Sequence, residues 1–200
     1  MINLALVTVS DKKGIIDFAK ELHQLNISIM STGGTFKEIQ SGGIPVGTVE
    51  DYTGSKEILD GRVKTLHPKI HGGILAVRDD KNHMHELKTS NIKPIDMVVV
   101  NLYPFEHVIH KRETMASEII ENIDIGGVTL LRASAKNFRH VIVLTDPNDY
   151  PEILSEIKNH GNVSLKTRFN LAVKAFEITS HYDSIIYKHL KENESLFISS

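Results

Sequence analysis

Four stretches of the chain combine residue types and spacings that could do chemistry. In Thr32-Gly33-Gly34-Thr35 two glycines lie between two hydroxyl side chains, just ahead of an apolar-periodic run. Glycines let a backbone approach an anion, and the start of a helix offers unpaired N–H groups. The stretch is neither a Walker loop nor a G-x-G-x-x-G fingerprint. Taken alone it reads equally well as a tight turn with a threonine N-cap. Ser10-Asp11-Lys12 strengthens the anion reading, because it follows a second apolar run and would open on the same side. Open parallel sheets hold ligands outside the carboxyl ends of their strands.

The second stretch, Gly61 to Gly73, interleaves Arg62, Lys64, His67, Lys69 and His71 with Val63, Leu66 and Ile70. A solvated basic loop is the ordinary reading of a charge run. Cations mixed with apolar residues instead predict a packed loop whose charges need an anionic partner. His67 and His71 are four apart, as zinc ligands on a helix would be. Pro68 and the lack of a nearby carboxylate argue against a metal and for structural histidines. The third stretch, Asn101-Leu102-Tyr103-Pro104-Phe105, puts a polar Asn and a Tyr at the end of a strand, as a pocket would need. A Tyr-Pro turn with a packed ring fits equally. The fourth runs from Asp124 through Ile125, Gly126 and Gly127 into Val128–Asn137. Thr129, Arg132 and Lys136 recur there at helical spacing on one face. Asp124 as N-cap with surface cations is the alternative.

The elements that must position these residues follow from periodicity. Leu4–Val9 predicts a buried strand, and Ile15, Phe18, Ala19 and Leu22 a helix packed by one face. Ile27–Met30 predicts a second strand, with a helix from the glycine pair to Gly42-Gly43. Two strand–loop–helix units in sequence predict a parallel sheet with helical crossovers. Asp51–Lys81 predicts an ordered, mostly irregular segment. Asp96–Leu102 and His140–Leu144 predict further strands. Helices are expected over Glu113–Asn122, Gly126–Asn137, from Asp146-Pro147 to His160, and from an N-cap at Ser164 to Glu192.

Composition narrows the class. The chain has 200 residues, 40% of them hydrophobic, and a formal net charge of -2, so no global field draws nucleic acid or an anionic membrane. There are no cysteines, which excludes disulfides and thiolate chemistry. No apolar run reaches membrane-spanning length, and the N-terminus reads as a strand rather than a signal peptide. A cytosolic enzyme or binding domain is expected.

Five stretches together resemble the inosine monophosphate cyclohydrolase domain of the bifunctional purine-biosynthesis enzyme. They are Val9–Lys12, Thr32–Thr35, Gly61–Pro68, Asn101–Phe105 and Asp124–Ala133, in the family's order. The resemblance implies a methylglyoxal-synthase-like α/β fold: three layers, a mostly parallel central sheet and a long C-terminal helix. It divides the chain into a cyclohydrolase domain at 1–146 and a helical extension at 147–200, leading toward a formyl-transferring domain that the chain lacks. It implies closure of the purine ring of 5-formamidoimidazole-4-carboxamide ribonucleotide, without metal or cofactor, in a cytoplasmic homodimer. By the same resemblance Ser10, Asp11, Lys12, Thr32, Gly33, Gly34 and Thr35 hold the 5′-phosphate region. Arg62, Val63, Thr65, Asn101, Ile125 and Gly126 line base and ribose. Asp124, Lys64, Tyr103 and Lys136 carry the chemistry, with Lys136 as proton donor or acceptor. A nucleotide-sensing regulatory domain of the same fold would need only the phosphate loop. A lyase of that fold acting on a triose phosphate would not need the second and fourth stretches.

Overall fold

The computed structural model describes residues 1–110 and 115–198. In chain order it runs β1 (Leu4–Val9), α1 (Ile15–Gln24), β2 (Ser28–Ser31), α2 (Gly33–Ser41), β3 (Gly47–Thr48), α3 (Val49–Thr53), α4 (Pro68–Leu75) and α5 (Lys81–Thr89). It continues through β4 (Met97–Asn101), α6 (Phe105–Ile109), α7 (Ala116–Glu121), α8 (Gly126–Lys136), β5 (Ile142–Leu144), α9 (Tyr150–His160), α10 (Leu165–Glu192) and α11 (Glu194–Ile198).

The strands form one sheet in the order β3-β2-β1-β4-β5, and every neighbouring pair is parallel. Parallel sheets are covered on both faces, so their central strands carry near-continuous apolar runs. Ala5, Leu6 and Val7 of β1 and Met97–Val100 of β4 are accordingly buried. One helical group, α1, α2 and α9, packs together through contacts such as Phe18 stacked on Tyr150 at 4.2 Å. A second group, α4, α8 and α10, packs against β4 and β5, and the sheet lies between the two as the middle layer.

Each predicted strand is present, within two residues at either end. The faces of the helices also follow the pattern. Ile15, Phe18, Ala19 and Leu22 are the buried residues of α1. On α10, Leu171, Ala172, Ala175, Thr179 and Tyr182 are buried, and Ser164 caps the helix by accepting from Thr167 N. Segment 147–200 contributes Tyr150, Ile153, Ile157, Leu171 and Ala175 to the same core as the strands. The helix expected from Glu113 begins at Ala116 among the described residues; Glu113 lies outside them.

Several short elements were not delimited by periodicity, β3, α5 and α4 among them. β3 is two residues long, and its only described pairing is with β2. α5 buries only Leu87, and its visible signal is the cap at Asp80, which accepts from Asn82 N and His83 N. α4 occupies part of the segment expected to be irregular. It starts at Pro68, with His67 Nδ1 accepting from Lys69 N at 3.1 Å. His67 is therefore a helix cap, and the structural reading of that histidine holds.

Asp96 ties the N-terminus to the sheet. Its Oδ2 accepts from Asn3 N at 2.8 Å and Leu4 N at 3.2 Å, and the residue is 9% exposed. Asp96→Ala leaves both N–H groups without that acceptor. It is expected to cost roughly 2–4 kcal/mol in urea unfolding; a loss under about 1 kcal/mol would show that the carboxylate is dispensable.

Candidate functional site

The strand order reverses direction at β1, with β2 on one side and β4 on the other. Ligands in such sheets sit outside the carboxyl ends at this reversal. The structure has a cleft of about 700 Å³ there. Its walls come from the loops after β1, β2 and β4, the loop before α4, and the turn between α7 and α8.

The floor is sewn together by side chains. Asn101, at the end of β4, accepts from Ser10 N at 2.6 Å and Asp11 N at 2.9 Å through Oδ1, and donates to Asp11 O at 2.9 Å through Nδ2. The amide is largely spent on the backbone of the β1 loop, so Asn101 shapes the cleft more than it offers groups to a ligand. Thr35 behaves likewise. Its buried hydroxyl accepts from Val9 N at 3.0 Å and donates to Val9 O at 2.9 Å, and is not free for an anion. Thr32 Oγ1 meets Thr8 Oγ1 at 3.1 Å.

This arrangement bears on the N-cap reading of the glycine loop. Thr32 makes no side-chain cap bond to α2, so the first N–H groups of that helix have no capping side chain and face the cleft. Gly33 has φ 50°, a left-handed conformation in which other residues are strained. Two ammonium groups converge on the pair. Lys64 Nζ lies 3.9 Å from where a Cβ on Gly33 would stand, and Lys12 Nζ 3.7 Å from the same point on Gly34. Free N–H groups, a helix N-terminus and two cations beside the glycine pair are the makings of an anion cradle.

On another wall of the cleft Asp124 closes the turn into α8. Its Oδ1 accepts from Gly127 N at 2.7 Å, and the Tyr103 backbone N–H also bonds the carboxylate. A Cβ on Gly127 would stand 2.4 Å from Asp124 Oδ2 and 3.0 Å from Leu102, so only glycine lets the carboxylate sit there. Burial pushes the Asp124 carboxyl above the ordinary range, outweighing the two N–H groups that pull it down. A desolvated carboxylate beside a cleft can take up a proton more readily than a surface one.

Sequence reasoning did not single out two carboxylates that answer the cations. Glu57 pairs with Lys64 at 3.2 Å. Glu121 pairs with Arg62, whose Nε lies 3.2 and 3.1 Å from its two oxygens. Nothing in the local sequence links Arg62 to Glu121, 59 residues on; the fold alone brings α7 over the loop.

Of the expected residues, the cleft gathers Ser10, Lys12, Thr32, Gly33, Gly34, Thr35, Arg62, Lys64, Thr65, Asn101, Tyr103, Asp124, Ile125 and Gly126. Three are placed elsewhere. Asp11 is exposed and turns the β1 loop by accepting from Lys13 N. Val63 forms a backbone bridge with Ile58 and does not line the cleft. Lys136 is the exposed last residue of α8. The helix starts at the cleft, and at about 1.5 Å per residue Lys136 lies about 15 Å along the axis from Gly126. The face it shares with Arg132 turns to α10, where the Arg132 guanidinium sits 5.7 Å from the Phe176 ring. Within one chain, Lys136 does not project toward the cleft as the helical spacing had suggested.

Residues 14–129 match the MGS-like domain family, and residues 134–199 match the AICARFT/IMPCHase bienzyme family. The chain is 55% identical over 192 residues to the bifunctional purine biosynthesis protein PurH of Acetivibrio thermocellus, covering 96% of this chain and 37% of the relative. It is 51% identical over 196 residues to PurH of a Thermoanaerobacter species, covering 98% of this chain and 39% of the relative. The chain thus spans less than two fifths of the length of these curated relatives. Among solved structures, that described as the crystal structure of ForH aligns with a TM-score of 0.81 at 34% identity, over 93% of this chain and 97% of the other.

The environment of Asp124 has a measurable consequence. Because its acid form is favoured in the fold, the charged form costs stability above the folded pKa, and that cost vanishes as pH falls and the group protonates. Asp124→Asn is expected to raise the thermal unfolding midpoint at about pH 7, with the gain shrinking as the pH is lowered. A variant less stable than wild type at neutral pH, or a gain that grows in acid, would contradict this.

Proposed function

Since the chain belongs to the MGS-like domain family, we propose that it is an inosine monophosphate cyclohydrolase, closing the purine ring of 5-formamidoimidazole-4-carboxamide ribonucleotide in purine biosynthesis. The observation that carries the proposal is the pairing, in one cleft, of an anion cradle at Gly33-Gly34 with a desolvated carboxylate at Asp124. Its 55% identity to a bifunctional purine biosynthesis protein supports the same reading. A nucleotide-sensing domain would need the cradle but has no evident use for the carboxylate.

The substrate's 5′-phosphate takes the first N–H groups of α2, with Lys12 and Lys64 at its sides. Lys64 can exchange Glu57 for the phosphate, since an exposed ion pair is worth little. Arg62, Thr65 and the Ile125-Gly126 backbone border the base and ribose. The carboxamide nitrogen then attacks the formyl carbon of the same molecule, forming the ring C–N bond. Both groups sit on one ring, so the entropy of bringing them together is already settled and only their orientation remains. Asp124 takes a proton from the attacking nitrogen. The former formyl oxygen, stabilised by Tyr103 and a lysine, takes up that proton as the C–N bond forms. Its C–O bond then breaks as the formamide nitrogen gives up its own N–H proton and the ring C=N bond forms, so the oxygen leaves with both protons as water. Carbonyl carbon and amide nitrogen supply the electrophile and nucleophile, so no step calls for a metal or an organic cofactor. A cytoplasmic homodimer is part of the same proposal. No helix among the described residues is long and apolar enough to cross a membrane.

Mixing the purified chain with the formylated ribonucleotide and following ring closure by absorbance tests the reading directly. Turnover no faster than the uncatalysed rate, in a folded protein that binds the product, would overturn it. Asp124→Asn is expected to lower turnover by about 10²–10⁴-fold while product affinity changes much less. Lys136→Ala should lower it by less than about tenfold, because the side chain lies outside the cleft of its own chain. A larger loss would mean that Lys136 does the proton transfer and reaches the cleft of a second copy.

The phosphate cradle makes a separate claim. Inosine should bind at least about tenfold more weakly than its 5′-monophosphate, since several charge-assisted hydrogen bonds are lost. Equal affinities in calorimetry would remove the cradle from the site.

A further inference from the structure

The turn that carries Asp124 is held from behind by a residue of the long C-terminal helix. Tyr182 of α10 is 6% exposed, and its phenol oxygen accepts from Asp124 N at 2.8 Å. The same hydroxyl faces the Asn122 carbonyl at 3.5 Å. It therefore meets both the end of α7 and the residue that opens α8. The Tyr182 ring packs edge-on against Phe105, centroids 6.1 Å apart, and Phe105 follows directly on the Tyr103-Pro104 turn. One side chain thus braces two walls of the cleft without lining it. Burial raises the phenol's pKa, so it stays protonated and keeps both its donor and its acceptor at neutral pH.

We propose that Tyr182 is a positioning residue for the ring-closing step, fixing the backbone at Asp124 so that the carboxylate meets the reacting nitrogen. The inference rests on the cyclohydrolase reading. It follows from what the hydrogen bond holds. The Asp124 carboxylate is anchored forward, to Gly127 N and Tyr103 N, while its own N–H points back to the phenol. Losing the phenol leaves a part-buried N–H without that acceptor, and the turn can shift to find another. A displacement of an ångström at a proton-transfer group is enough to slow a reaction by orders of magnitude. The phosphate cradle is built from other elements, α2 and the loops that carry Lys12 and Lys64.

Tyr182→Phe removes only the hydroxyl and keeps the ring against Phe105. It is expected to lower kcat by about tenfold or more and to leave KM within about threefold. The Asp124 amide should also lose its protection from hydrogen exchange. Val108→Ala, buried in the same small cluster and removing apolar side-chain atoms but no side-chain hydrogen-bonding group, is the control. It should lower the unfolding midpoint at least as much as Tyr182→Phe, yet keep kcat within about threefold. If kcat in the two variants instead falls in proportion to lost stability, or Tyr182→Phe retains wild-type kcat, Tyr182 is a packing residue and the inference is wrong. If the wild-type chain shows no turnover, the cyclohydrolase reading fails on its own. Amide exchange then decides the positioning claim, and unchanged protection at Asp124 in Tyr182→Phe overturns it.

Discussion

The arrangement of the cleft depends on one side chain tying two strand ends together. Asn101 at the end of β4 spends three hydrogen bonds on the backbone of Ser10 and Asp11 beyond β1. Parallel strands leave their carboxyl-end loops without ladder partners, and unpaired backbone groups are costly to bury. Asn101 satisfies those groups and in doing so fixes where the β1 loop goes. Thr35 does the same between α2 and β1. With the loops after β1 and β4 and the start of α2 tied to one another, the glycine pair, Lys12 and Ser10 have little choice of position. Side chains that looked like ligand groups are in large part what makes a ligand site rigid.

Over this floor, charge is balanced locally rather than globally. A chain of net charge -2 nevertheless places Lys12, Lys64 and Arg62 around one opening. The carboxylate partners of Lys64 and Arg62, Glu57 and Glu121, are each about half exposed. Exposed pairs bind weakly enough to yield to a phosphate and strongly enough to stop the cations from scattering. The cost of gathering positive charge is thus offset by groups that an anionic ligand can displace.

The Asp124 wall of the cleft is less comfortable. Asp124 is held against Gly127 at a distance no side chain would tolerate, and its charge is disfavoured by burial. A residue kept in a state the fold does not prefer belongs to the class of sites where stability is given up for reactivity. The long helix α10 takes part through Tyr182, which accepts from Asp124 N, so the C-terminal segment supports the cleft as well as completing the core.

Much of this was legible in the residues. Buried runs at Leu4–Val9 and Met97–Val100, the one-faced pattern of α1, and the caps at Ser164 and Asp146 depend on neighbours a few positions away, and local chemistry is what a sequence displays. The glycine loop and its place after a strand were legible for the same reason. What the tertiary structure decided were the pairings across long separations: Arg62 with Glu121, Asn101 with the Ser10 loop, Tyr182 with Asp124. It also decided whether Thr32 capped its helix or turned to Thr8, a choice between a neighbour in sequence and one in space. Lys136 shows the limit most plainly. Its spacing from Arg132 correctly put both on one helical face, but a periodic pattern carries no information about which neighbour that face meets. The packing of α10 against α8 answered it, and turned the face away from the cleft.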